Sequence, residues 1–137
     1  MPFFSYSITT LKSTAETSKK KTVMTLSPGV IHRVRIRIPP GSQGLLHCHV
    51  NHHLHQIEPS NTGEDFYGDD EIIEYDEFYE LKGTDTQLSA YTWNEDTEHD
   101  HKIIVQFGVL PKWVLLPQLV AQQVSRVWEG VKTRTWG

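Results

Sequence analysis

The sequence predicts a mainly β protein: an antiparallel β-sandwich, jelly-roll-like, with an N-terminal arm and one C-terminal amphipathic helix. Three observations lead there. Apolar and polar residues alternate with period two through most of the chain. Clusters of Gly, Pro, Asn, Asp and Ser interrupt the alternation at spacings of roughly ten residues. The apolar period changes to that of a helix only after Pro117. At 137 residues the chain fits one domain with a modest core.

Taken in order, residues 1–21 form a polar, flexible arm, because "TLKSTAETSKKKT" offers little to bury. Residues 22–111 form the sandwich. Its first strand, "TVMTL", closes at Ser27-Pro28-Gly29. In "VIHRVRIRI", Val30, Val34, Ile36 and Ile38 share one face with His32, and Arg33, Arg35 and Arg37 make an outward stripe. Pro39-Pro40-Gly41 ends this strand, since neither proline can donate to a ladder. "LLHCHV" and "HLHQIE" follow as two strands or one bent strand, then "EIIEYDEFYEL", "QLSAYTW" and "KIIVQFGVL". Five to seven short strands of this kind suit a sandwich. Residues 112–137 supply the helix and tail. Pro117 suits the first helical position, Leu116, Leu119, Val120, Val124, Val127 and Trp128 form an apolar stripe, and Gly130 suits the C-cap. That helix either covers an open end of its own sandwich or docks on a neighbour.

Charge is distributed unevenly around a net −4. Residues 1–63 carry seven Lys/Arg against Glu16 and Glu58, whereas residues 64–100 carry fourteen Asp/Glu against Lys82 alone. Residues 101–137 return to five Lys/Arg against Glu129. An acidic middle third repels phosphate, so nucleic acid is not the expected partner. The basic–acidic–basic layout suits complementary contact within the fold or between copies, and a solvated acidic loop region explains it equally well. No apolar run approaches the roughly 20 residues of a membrane span. The N-terminus does not read as a signal peptide. Cys48 is the single cysteine, which excludes an internal disulfide and a cysteine-based zinc framework.

"HCHVNHHLH", residues 47–55, holds five of the eight histidines and is the one stretch that invites metal chemistry. On an extended strand His47 and His49 share a face, and so do His53 and His55 if the strand resumes. These four are the metal candidates, and the competing expectation is histidines that stack and hydrogen-bond without metal. No cofactor is expected. Other chemistry is poorly served. There is no phosphate-binding glycine loop and no Gly-x-Ser-x-Gly elbow. Strand neighbours of Cys48 face away from it, which leaves it without a base. "DDEIIEYDEFYE" lacks the spaced ligands and central glycine of a calcium loop. Trp93, Tyr91 and Tyr67 are candidates for stacking on sugar rings, with core packing as the commoner role of such aromatics.

"GSQGLLHCH" has the glycine, five-residue gap and His-x-His of the first cupin motif, and to that extent resembles the cupins, which are β-barrels of jelly-roll type. The glutamate of that motif falls here on His53 or Leu54, and the second motif has no counterpart around His99 and His101. A longer pattern runs through residues 30 to 111. "VRIRIPPGSQGLL", "HQIEPSNTGEDFYGDDEIIEYDEFYEL" and "LSAYTWNEDTEHDHKIIVQFGVLP" together resemble small β-sandwich proteins among phage and prophage structural genes. The shared features are a strand ending in Pro-Pro-Gly, a Gln-Ile-x-Pro strand end, an acidic turn with an aromatic-rich segment, and an Asn-x-Asp turn leading to a strand that closes on Val-Leu-Pro. The resemblance implies a virion component, made in the host cytoplasm, and no catalytic residues.

The expected function is therefore non-enzymatic: a structural protein of a phage particle, first of all a capsid decoration or cementing protein. A neck, tail or fibre-attachment adaptor is the nearest alternative, and a cupin-like metal enzyme the more distant one. Expected partners are further copies of the chain and other virion structural proteins, with neither nucleic acid nor membrane. Arg33, Arg35, Arg37, Leu119, Val127, Trp128 and Trp136 are the expected interface.

Overall fold

The computed structural model describes residues 3–111. They form eight strands: β1 Phe3–Thr10, β2 Lys20–Thr25, β3 Gly29–Ile38, β4 Leu46–His52, β5 His55–Glu58, β6 Glu71–Leu81, β7 Gln87–Asn94 and β8 His101–Leu110. A short 3-10 turn, Glu16–Ser18, lies between β1 and β2. The expected helix of residues 112–137, with Leu119, Val127, Trp128 and Trp136, lies outside the described residues.

The strands make two antiparallel sheets of four, ordered β1-β8-β3-β6 and β2-β7-β4-β5. Every chain-consecutive pair except β4–β5 changes sheet, so the chain wraps around one interior. Period-two alternation dictates what that interior contains. Ile8 of β1, Met24 of β2, Val34, Ile36 and Ile38 of β3, and Leu46, Cys48 and Val50 of β4 meet Leu88, Ala90, Ile103, Val105 and Phe107 in one cluster. The outer strands correspond: the Tyr6 hydroxyl of β1 donates to the Thr25 carbonyl of β2. On the opposite side the Tyr75 hydroxyl of β6 donates to Glu58 of β5.

Two expectations need correction. The N-terminal segment is not a flexible arm. In "FFSYSITT", Phe4, Tyr6, Ile8 and Thr10 alternate inward, and all eight residues pair with β8. Ile8 is 2% exposed, and Thr10 Oγ1 donates to Thr92 Oγ1 at 2.7 Å across the core. The polar stretch after it is the link that carries the chain from one sheet to the other. Lys12 N reaches Asp100 Oδ1 at 2.7 Å, Ser13 N reaches the Asp96 carbonyl at 2.8 Å, and Lys20 and Lys21 already belong to β2. The sandwich-like unit therefore starts at Phe3, and it has eight strands where five to seven were expected.

The second correction concerns β3. A bulge between Ile31 and Arg33 shifts its register against both neighbours. Ile31 joins the core ahead of Val34, and His32 is displaced from the inward face, half-exposed. The displaced ring lies on the Gly108 backbone, where a Cβ would come within 2.7 Å of it. A bulge adds a residue to one strand only, which is why the inward parity of β3 changes there.

Candidate functional site

Strand β4 lies between β7 and β5, and its pleat sends Cys48 inward and His47 and His49 outward. Burial pushes the Cys48 thiol up to about 12, and the Asp65 charge adds to the shift, so it is no nucleophile. The two outward histidines face aromatic partners on β7 in direct register: His47 opposite Trp93 and His49 opposite Tyr91. His47 lies flat on Trp93, centroids 4.9 Å apart and planes 6° apart, and His49 stacks on Tyr91 at 5.2 Å. Lys19 Nζ sits 4.6 Å over the Trp93 ring. Trp93 is consequently only 4% exposed. Covered by His47 and Lys19, it has no free face for a sugar ring, whereas Tyr67 stands exposed beside His47.

Both His49 nitrogens have partners. Nδ1 meets Asn51 Oδ1 at 2.9 Å and Nε2 meets Lys19 Nζ at 3.1 Å. A lysine ammonium only donates, so Nε2 accepts and Nδ1–H donates, which is the neutral ring. Burial holds the His49 pKa below its usual value, and the Lys19 charge works in the same direction, against the Asn51 hydrogen bond. His47 Nδ1 contacts Asp65 Oδ2 at 2.5 Å. Its Nε2 points toward Glu95 Oε1 at 3.4 Å, an electrostatic contact without hydrogen-bond geometry. The two rings are thus parts of a packed polar–aromatic surface, each oriented by different neighbours.

The other metal candidates lie at the β4–β5 turn. His53 and Leu54 form its two-residue loop, with His53 at φ +57°. Positive φ at the first central position and not at the second, Leu54, is the pattern of a type II′ turn, where glycine is usual. This conformation brings the His53 ring beside His52, centroids 4.6 Å apart. His52 Nε2 and His53 Nε2 both approach Asp85 Oδ1, at 3.0 and 2.7 Å. His52 Nδ1 meets the Tyr79 hydroxyl of the opposite sheet at 2.6 Å. These two hydrogen bonds, that from His52 first, hold the Asp85 carboxyl below its usual range. Among the described residues, His52, His53 and Asp85 bring their ligand atoms within 4.8 Å of one another, and His55 is not part of the group.

The sequence pointed to His47, His49, His53 and His55, and the structure brings only His53 of these into a ligand cluster. His52 and Asp85 were missed. The signal was a parity count: residues 52 and 53 cannot share a face on a strand, but they can share a site across a turn. Asp85 lies thirty-odd residues on, in the β6–β7 loop, and only the topology brings it near.

A buried acid lies on the inner side of the same hairpin. Glu58 is 1% exposed, and burial, reinforced by a hydrogen bond with Glu77, pushes its carboxyl up to about 8. Burial and Glu58 push the Tyr75 hydroxyl well above the usual tyrosine range. This group sits between the two sheets at their β5/β6 side.

On the outer face of the other sheet, Arg33 and Arg35 stand in register with Asp76 and Glu74 of β6, and Arg37 with Ile72. Arg33 Nε lies 2.8 Å from Glu74 Oε1. The stripe faces outward as expected, and the acidic block answers it within the same chain. Exposed Phe3, Ile72 and Phe78 flank it.

The residues of the longer sequence pattern are turn builders. Gln56 Nε2 donates to the carbonyls of Pro59, Asn61 and Glu64 and so folds the loop after β5. Asn94 Nδ2 donates to the carbonyls of Thr10 and His99, and Asn94 Oδ1 accepts from Asp96 N. Asp96 accepts from Glu98 N, His99 N and His101 Nε2, which holds its carboxyl down at about 2. No protein-family model matches the chain, and no curated protein matches it either.

Proposed function

We propose that the chain is a non-enzymatic structural protein of a virus particle, a phage capsid decoration or cementing protein. It is made in the host cytoplasm, associates with copies of itself and docks on other virion structural proteins. The strand order carries this reading. Sheets ordered β1-β8-β3-β6 and β2-β7-β4-β5 follow the wrapping of an eight-stranded jelly roll, an architecture frequent among viral capsid domains. Lectins and cupins use that architecture too, so the placement of chemistry has to discriminate. His47 and His49 face outward with their rings packed on β7, and the space between the sheets is filled mainly by apolar side chains, with Glu58 and Tyr75 bonded to each other at one side. That distribution favours a subunit over a cupin-like enzyme.

The docking surface in this reading is the arginine stripe Arg33, Arg35 and Arg37 with its exposed apolar flank, Phe3, Ile72 and Phe78. Charge complementarity at such a surface fixes register more than it adds affinity. Leu119, Val127, Trp128 and Trp136 of the C-terminal segment are the second set of contacts expected in this reading.

Sedimentation velocity tests the proposal. The wild-type chain sediments as a discrete homo-oligomer, and the double variant Arg33→Ser/Arg37→Ser, substituted at exposed positions, stays folded and dissociates. A wild type that remains monomeric over the accessible concentration range contradicts the assembly reading. An oligomer unchanged by the double substitution removes the stripe from the interface.

A further inference from the structure

We infer that His52, His53 and Asp85 form a binding site for a borderline divalent metal ion, zinc above all, held through His52 Nε2, His53 Nε2 and Asp85 Oδ1. The inference stands apart from the assembly proposal, since it concerns a single chain.

Donor chemistry comes first. Two imidazole nitrogens and one carboxylate oxygen suit zinc, which binds both donor types at about 2.0–2.2 Å. Tetrahedral bonds of that length separate neighbouring ligand atoms by about 3.3 Å. The Nε2–Oδ1 distances here are 3.0 and 2.7 Å. An ion entering between them therefore moves these ligand atoms apart by roughly 0.3 to 0.6 Å. His53 and Asp85 are exposed and have room to adjust.

Orientation comes second. The Nδ1 of His52 meets Tyr79 Oη at 2.6 Å, and a hydroxyl there both donates and accepts. When Nε2 binds metal, Nδ1–H donates to Tyr79 Oη, the outer partner that metal-bound histidines ordinarily have. Tyr79 is therefore a positioning residue. Without metal both rings use Nε2–H to reach a single carboxylate oxygen, a convergence that an ion replaces directly.

Backbone is the third point. His53 occupies a positive-φ conformation in which a glycine would be at ease and a residue with a Cβ is strained. A histidine there puts its ring against His52. Asp85 comes from the β6–β7 loop, which is fixed on either side by Asp85 N to the Lys82 carbonyl and Leu26 N to the Thr86 carbonyl, each at 3.0 Å. Ligands and support thus come from the β4–β5 hairpin, the β6–β7 loop and β6. A bound ion clasps both sheets at one end, with one coordination position left for water or an outside donor.

The test is isothermal titration of the full, chelator-stripped chain with zinc alone, for wild type, His53→Gly, Asp85→Asn, Tyr79→Phe and His55→Ala. Glycine fits the turn and asparagine keeps the shape of aspartate, so folding is preserved; far-UV circular dichroism verifies it. Wild type takes up one zinc per chain. His53→Gly and Asp85→Asn weaken binding tenfold or more, Tyr79→Phe weakens it severalfold, and His55→Ala leaves it unchanged. Zinc raises the melting temperature of wild type and not of His53→Gly. No uptake by wild type overturns the inference, as does equal affinity in His53→Gly. A loss in His55→Ala as large as in His53→Gly also overturns it, because it places the ion on other histidines.

Discussion

On β4, His49 has both nitrogens committed to Lys19 and Asn51 and His47 lies flat on Trp93; three residues on, His52 and His53 turn toward one oxygen of Asp85. The two pairs belong to one histidine-rich string and have opposite fates. A strand spaces its outward side chains regularly over a pleated surface, so each ring meets the residue opposite it on the next strand. Register set those partners as Trp93 and Tyr91, and the rings became packing. A tight turn breaks parity, so neighbouring side chains can converge. The number of nitrogens in a sequence thus says less about metal binding than the place where the strand ends.

Removing the surface beneath the strand pair should have the largest effect. Trp93→Ala takes away the ring that His47 and Lys19 cover, and it should cost about 3–5 kcal/mol in urea unfolding. A loss under about 1 kcal/mol would mean that the strand histidines are not structural.

Glu58, on the inward side of the hairpin, extends the comparison to pH. Its folded pKa of about 8 exceeds the ordinary 4.5, so between those values the folded chain holds a proton that the unfolded chain has lost. Its contribution is fully present below 4.5 and disappears as pH rises through 8. Stability should therefore fall across that window, on the order of a few kcal/mol, and Glu58→Gln should flatten the profile. Urea midpoints measured from pH 5 to 9 read this directly. A wild-type profile that rises with pH would refute it.

Smaller again is His47→Ala, which leaves Asp65 without its imidazole and uncovers Trp93. About 1–3 kcal/mol of stability should go, with zinc uptake intact. The smallest change in stability is expected at the turn itself. His53→Gly should stay within about 1 kcal/mol of wild type while losing zinc. Opposite outcomes for these two variants sharpen the contrast between strand and turn; equal outcomes erase it.

Much of this architecture is legible in the chain. The alternation in "EIIEYDEFYEL" and the Pro-Pro-Gly stop after Ile38 place β6 and the end of β3 where they occur. The inward face of β1 was equally periodic in Phe4, Tyr6, Ile8 and Thr10, and the lysine-rich link after it masked the pattern. The bulge at Ile31–Arg33 is a feature of pairing, a register shift against both β6 and β8, and alternation within β3 alone does not show it. The site was half legible for a related reason. His53 was visible as a ligand type, but its partners depended on a turn conformation unusual for histidine and on an aspartate in a distant loop.

Native mass spectrometry of the full chain, with zinc and after chelation, tests the account most directly. The predicted spectrum is one discrete homo-oligomer, carrying one zinc per chain when zinc is supplied and keeping its stoichiometry when the metal is removed. A monomer holding a metal ion that survives chelation would contradict the assembly reading and return the cupin-like enzyme to first place.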